Sequence, residues 1–261
     1  MMRIWVVSAL LLIFSALPLA AQDMLSGVDL KSPMMTTAEL RRDDVASLIA
    51  KGVPLDLSGK RLSGLDLSGL DLTGANLRGA YLNKANLSNA KLDHVVLDLA
   101  WALEANFDGA SMRHASLIAS QMRGASFKGA DLTGARITAD ISNGNLAGAK
   151  LAGADLSADM KNQSMGLMRA VLRSARLEGA DFTGSNLSRT VLEFAVMKDA
   201  VLREANLYGA ELGGANMTGA DVAGADFEAA DVTSTVLLKL KNLDRARNFD
   251  KARNLKRAFR D

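Results

Sequence analysis

The chain has 261 residues, 49% of them hydrophobic and 23% charged, which is enough to bury a sizeable core and gives no compositional sign of disorder. Only 5% are aromatic, so the core is filled by Leu, Ala, Val and Met, a palette that suits many small similar layers better than one irregular centre. A formal net charge of +2 makes no global case for nucleic-acid binding, and the absence of cysteine excludes both disulfides and a lipid-attachment cysteine.

The chain opens with "MMRIWVVSALLLIFSALPLAAQD". Arg3, an apolar run from Ile4 to Leu17, then Pro18 and the small residues Ala20 and Ala21 follow the order of a secretory signal peptide, and the run is short for a membrane span. Residues 1–21 are expected to be removed, leaving a periplasmic or secreted protein; the alternative is an uncleaved N-terminal anchor. In the segment 22–54, "TTAELRRDDVASLIAKG" reads as a capping helix. Thr36 and Glu39 have capping-box spacing, Leu40, Val45, Leu48 and Ile49 share one face, and Gly52 and Pro54 end it.

From residue 55 to 238 the sequence repeats every five residues. Large apolar side chains recur from Leu57 through Leu62 and Leu67 to Leu97, and from Phe107 to Ile137 after Ala102. The phase slips by one at Ile141, Leu146, Leu151 and Leu156; an insertion around "DMKNQSMG" restores it at Leu167, and it continues to Leu237. The interruption therefore lies near 138–166. Two residues before most central positions stands an Ala, and residues two apart on extended backbone face the same side. Each unit thus sends one large and one small apolar side chain inward. The intervening Asp or Asn, as in Asp71 and Asn76, faces outward, and Gly at the next corner tolerates a tight turn. An Asp in place of Leu132 or Leu187 should destabilise severely.

The units "ANLRG", "ANLSN", "ADLTG", "ADFTG" and "ANMTG" resemble the A(D/N)LXX motif of the pentapeptide repeat family. The resemblance implies an all-β solenoid, a right-handed quadrilateral β-helix in which four units form one coil, here with a short N-terminal capping helix. At four units per coil the series gives about nine coils with a rise of roughly 4.8 Å each. No coil is self-sufficient, so stability belongs to the array. Some members of that family mimic DNA and bind DNA gyrase; expected export and a mildly acidic body weaken the analogy here, and nucleic acid is not an expected partner.

The segment 239–261 holds nine Lys or Arg against three Asp, a formal +6 that leaves −4 on the other 238 residues. "NLDRAR NFDKAR NLKRAF" repeats every six residues. It reads either as a basic cap with Leu243, Phe249 and Leu255 as contacts, or as a tail that meets an anionic surface.

If four units make a coil, residues 20 apart are stacked neighbours. His94 and His114 are so spaced. They either begin a metal-binding or enzymatic site, for which no third ligand is evident, or are two solvated turn residues. Tyr81 and Trp101 share the spacing, and Val96, Leu99 and Leu103 are apolar where polar residues or Gly are usual. These five form either an exposed partner-binding patch or a bulge tucked under a loop. The Met-rich stretch from Asp159 to Met168 should leave the coil as a loop. No catalytic constellation, phosphate loop, cofactor site or metal site is assigned. The expected function is that of an exported non-catalytic scaffold for a protein or envelope component, with self-association through an end or the Tyr81 and Trp101 side as a further possibility.

Overall fold

The computed structural model describes residues 25, 27–52, 54–160 and 168–261. The expected signal segment, 1–21, and the central position expected at Leu167 lie outside them. Two compact units are distinguished, Met1–Leu30 and Lys31–Asp261. Of the first, the described part is a turn in which the Val28 N–H donates to the Leu25 carbonyl at 3.1 Å.

In the second unit a 20-residue period organises the backbone. Parallel bridges join Asp56 to Asn76, Arg61 to Tyr81, Asp66 to Asn86 and Asp71 to Lys91, and each series continues coil after coil. At each rung the central residue donates downward and the bridge residue donates upward: Leu57 N–H to Asn76 C=O at 2.8 Å, Asn76 N–H to Leu55 C=O at 2.9 Å. Four ladders of this kind make a solenoid-like β-helix whose core is the stack of central residues. From Leu57 to Val232 the described central positions, Ala102 among them, are at most 1% exposed. Phe107 and Phe127, one coil apart, stack at 4.8 Å with ring planes 5° apart. Because each side is so short, the described regular strands are few: β1 (Ser116–Gln121), β2 (Arg136–Asp140), β3 (Val236–Leu237) and β4 (Phe259–Arg260).

Between sides the chain turns on a bond from the N–H of the third residue after the centre back to the central carbonyl, as from Lys60 to Leu57 at 3.1 Å. The second residue after the centre is then left-handed, with φ 66° at Gly59. The outward Asp or Asn holds this turn from the side. Asp56 Oδ1 accepts from the Ser58 N–H at 3.0 Å and also from Asn76 Nδ2 of the next coil at 3.0 Å. One side chain therefore fixes its own corner and couples it to the neighbouring coil.

The phase slip is absorbed at a β-bulge. β1 pairs in parallel with β2, and between Ile118 and Gln121 it carries one residue more than its partner. The short side runs straight, and Ile137, Thr138 and Ala139 are all buried. Within 138–166 the ladders persist through Asp140, Asn145, Lys150 and Asp155. Most of the Met-rich stretch expected to leave the coil, residues 161–167, lies outside the described residues; on either side of it the Asp159 N–H donates to the Met168 carbonyl at 2.9 Å.

At the N-terminal end two helices, α1 (Pro33–Thr36) and α2 (Arg42–Ile49), cover the first coils. Val45 enters the core, with Leu40, Leu48 and Ile49 packed beside it. The helix starts later than the capping-box spacing of Thr36 and Glu39 suggests. Thr36 closes α1 by donating its hydroxyl to Ser32 C=O at 3.0 Å, and α2 is capped by Asp44 accepting from the Arg41 N–H at 2.8 Å. Glu39 serves the ladder instead. Its N–H donates to Arg61 C=O at 2.9 Å, and its carboxylate lies 3.5 and 3.6 Å from Lys60 and Arg61. Arg42 donates to the Asp66 and Ser68 carbonyls, each at 2.9 Å. These donors replace the N–H groups that a preceding coil would supply.

At the other end the six-residue repeats form one more coil. Asp221 bridges Lys241, Asp226 bridges Arg247, Asp231 bridges Arg253, and β3 pairs with β4 from Val236 to Phe259. The offset grows by one residue per side, and the extra residue is taken up in 3₁₀ turns at Leu243–Arg245, Phe249–Lys251 and Leu255–Arg257. Asn242, Asn248 and Asn254 are left-handed and donate to Asp221, Asp226 and Asp231 at 2.8, 2.9 and 3.0 Å. Phe249 meets Phe227 edge-on at 5.2 Å. Phe249 and Leu255 pack against the core, while Leu243 is 38% exposed.

Candidate interaction surface

The residues that break the polar pattern lie on two neighbouring ladders, at the corner between them, which holds Leu99, and at the following corner, which holds Leu103. Tyr81 and Trp101 are bridge partners: Trp101 N–H donates to Ala80 C=O at 2.9 Å, and Leu82 N–H donates to Trp101 C=O at 2.6 Å. Val96 occupies the equivalent position on the adjacent ladder, between Asn76 and Ser116. Tyr81, Val96, Trp101 and Leu103 are half-buried. Leu103 is held through its N–H, which donates to Asn83 Oδ1 at 2.9 Å, while Asn83 Nδ2 donates to the Met35 carbonyl in α1 at 3.0 Å. Asp98, buried between Val96 and Leu99, accepts from Arg78 at 2.9 Å, from the Ser116 hydroxyl at 2.5 Å and from the Ile118 N–H at 3.1 Å.

Leu99 is the outlier of the group. It sits in a left-handed corner with φ 59° and is 54% exposed. A γ-branched side chain there gains little burial and bears a backbone cost that glycine avoids. Phe194, not singled out in the sequence analysis, has the same signature on another corner, with φ 58° and 61% exposure. Its ring lies over Gly214, where an added Cβ would come within 2.6 Å of Phe194 Cδ1. The signal was present in the sequence as a large apolar residue at a corner position held elsewhere by glycine, alanine or a polar residue. Nearby, the Arg189 guanidinium lies 5.7 Å from the centroid of Tyr208, itself 40% exposed.

The two histidines stack, with ring centroids 5.2 Å apart and planes 15° from parallel. Among the described residues no cluster of three or more His, Cys, Asp or Glu side chains is placed to hold a metal ion. The carboxylate beside them is a structural anchor. Asp93 accepts from the Arg113 guanidinium, and from the Ser111 hydroxyl at 2.5 Å and the Arg113 N–H at 3.0 Å. The Arg113 guanidinium is the largest influence, and together these donors outweigh partial burial and hold the Asp93 carboxyl at about 2.

These features define a class: a repeat solenoid whose coils are stapled by outward Asp and Asn side chains and whose exposed apolar groups sit on ladders and corners. The family model described as pentapeptide repeats matches the chain with eight copies, over residues 61–98, 104–138, 167–203 and 195–233. The chain belongs to the pentapeptide repeat family. Among solved structures it is similar to HetL, described as a pentapeptide repeat protein involved in heterocyst differentiation regulation in the cyanobacterium Nostoc sp. strain PCC 7120. The two share 26% identity over 84% of this chain and 94% of that one, with a TM-score of 0.40. It is also similar to Rfr23 from the cyanobacterium Cyanothece 51142, with 30% identity over 41% and 63% of the two chains and a TM-score of 0.29. A third is QnrB1, described as a plasmid-mediated fluoroquinolone resistance protein, with 21% identity over 77% and 89% and a TM-score of 0.33. A comparison with curated proteins gave no match.

Proposed function

We propose that the protein is an exported, non-catalytic scaffold, built as a right-handed quadrilateral β-helix, that presents its Leu99 corner to a protein or envelope component. The observation that carries this reading is Leu99 itself: a large apolar residue kept in a left-handed, half-exposed position, flanked by Val96, Trp101 and Leu103. Strain of this kind, where it contributes nothing to the core, points to a binding role. The repeat supports the scaffold reading because it accounts for the abundant outward Asp and Asn residues as corner staples. A rigid repetitive core holds such a surface in place without rearrangement.

The test is site-specific photocrosslinking in the native envelope. A photoreactive residue at Leu99 or Trp101 should yield a discrete adduct, and one at exposed Lys128 should not. Absence of any adduct at both patch positions would reject the surface. Export is tested separately by the intact mass of the purified protein, and retention of Met1 would reject cleavage.

A further inference from the structure

Among the described residues, the terminal coil gathers cations that pair with no carboxylate. In the pentapeptide coils cations commonly pair with a carboxylate 20 residues away: Arg78 with Asp98 at 2.9 Å, Lys91 with Asp71 at 3.3 Å, Arg113 with Asp93, Arg173 with Glu193. In the six-residue coil the described ion pair is Lys241 with Asp199 at 3.3 Å. Arg247 and Arg253 each spend one nitrogen on a backbone carbonyl, of Gly224 and Ala229. Lys239, Arg245, Lys251, Lys256, Arg257 and Arg260 are exposed, and among the described residues their side chains have no ion-pair partner. Two apolar side chains stand exposed among them, Phe259 at 59% and Leu243 at 38%.

We propose that this coil is a docking surface for an anionic lipid bilayer. The backbone pairing described above makes it an ordered array of cations, so their charge is presented together. Cations interspersed with exposed Phe and Leu match the boundary between anionic headgroups and acyl chains. A second copy of the coil is a poor partner, since two faces of formal charge +6 repel. The remaining residues carry −4, so an anionic surface attracts the terminal coil and repels the body, favouring contact through this end. The proposal does not depend on the Leu99 surface.

The test is sedimentation of the full chain with vesicles of phosphatidylcholine alone or with a phosphatidylglycerol fraction. The phosphatidylcholine arm reads any contribution from the apolar N-terminal run. Binding should require phosphatidylglycerol and fall more than about tenfold when salt rises from about 0.05 to about 0.5 M. Lys256→Glu with Arg257→Glu should lower it more than about tenfold, Phe259→Ser should lower it severalfold, and Lys128→Glu should leave it unchanged. Equal binding to both vesicles, or undiminished binding by the double charge reversal, would overturn the proposal. So would tighter binding to duplex DNA than to the anionic vesicles combined with no effect of Phe259→Ser, which would mark a general polyanion surface.

Discussion

Leu99 and Asp93 show how one residue can be read against the repeat that surrounds it. At Leu99 the left-handed backbone disfavours any residue with a Cβ, so Leu99→Gly should stabilise by about 1 kcal/mol, raising the melting temperature by roughly 2–4 °C. The same substitution should weaken the adduct formed from a photoreactive residue at Trp101, and a fall in melting temperature would show that Leu99 supports the fold. Asp93 makes a prediction in pH. Its folded carboxyl titrates at about 2, below the ordinary 3.8, so its stabilisation is fully present above the unfolded value and drains away as pH falls through the folded one. Wild type and Asp93→Asn should therefore differ most in denaturant midpoint near neutrality, with the gap shrinking below about pH 4 and closing only below about pH 2.

At the scale of elements, the two ends solve opposite problems. The first coil presents carbonyls with no donor above them, and the N-terminal segment answers with the Glu39 N–H and the Arg42 guanidinium. Arg42→Ala should leave the global unfolding midpoint within about 1 kcal/mol of wild type yet speed amide exchange at Leu57, Leu62 and Leu67, read by hydrogen-exchange mass spectrometry. Exchange unchanged in these amides would assign the cap to Val45 packing alone. The last coil has the reverse difficulty, N–H groups with no acceptor below. It folds several into 3₁₀ bonds, as from Lys251 to Asn248 at 3.0 Å and Arg257 to Asn254 at 2.8 Å. Asparagine where the central apolar residue would stand ends the inward stack, and the following Phe249 or Leu255 closes the core.

For the whole molecule, the governing length is the 20-residue interval between stacked partners. Removing residues 200–219 deletes one complete period and places Ala220 where Ala200 stood, so the ladders can rejoin in register. That variant should unfold cooperatively with somewhat lower stability, as expected of a near-additive array. Removing 200–217 leaves two residues too many, which must be taken up at a turn, as in the widened last coil, or else carry central side chains outward, and should lower the midpoint measured by circular dichroism further than the 20-residue deletion does. If both deletions behaved alike, stacking in register would not be the source of stability.

The five-residue period by itself determined the inward and outward assignment and the existence of a phase slip, because each follows from counting along a chain whose sides have fixed length. The family was legible for the same reason; the stacking of Tyr81 on Trp101 and of His94 near His114 followed only once the family resemblance supplied four units per coil. Other features depend on contacts between segments that counting does not relate. Only the tertiary structure decided that Glu39 serves the first ladder instead of a helix cap, that the slip resides in the bulge of β1 against β2, and that the basic segment closes the stack as a widened coil. The corner strain at Leu99 and Phe194 lies between these cases: the residue types stood in the sequence, but their exposure was settled by what the neighbouring coils leave uncovered.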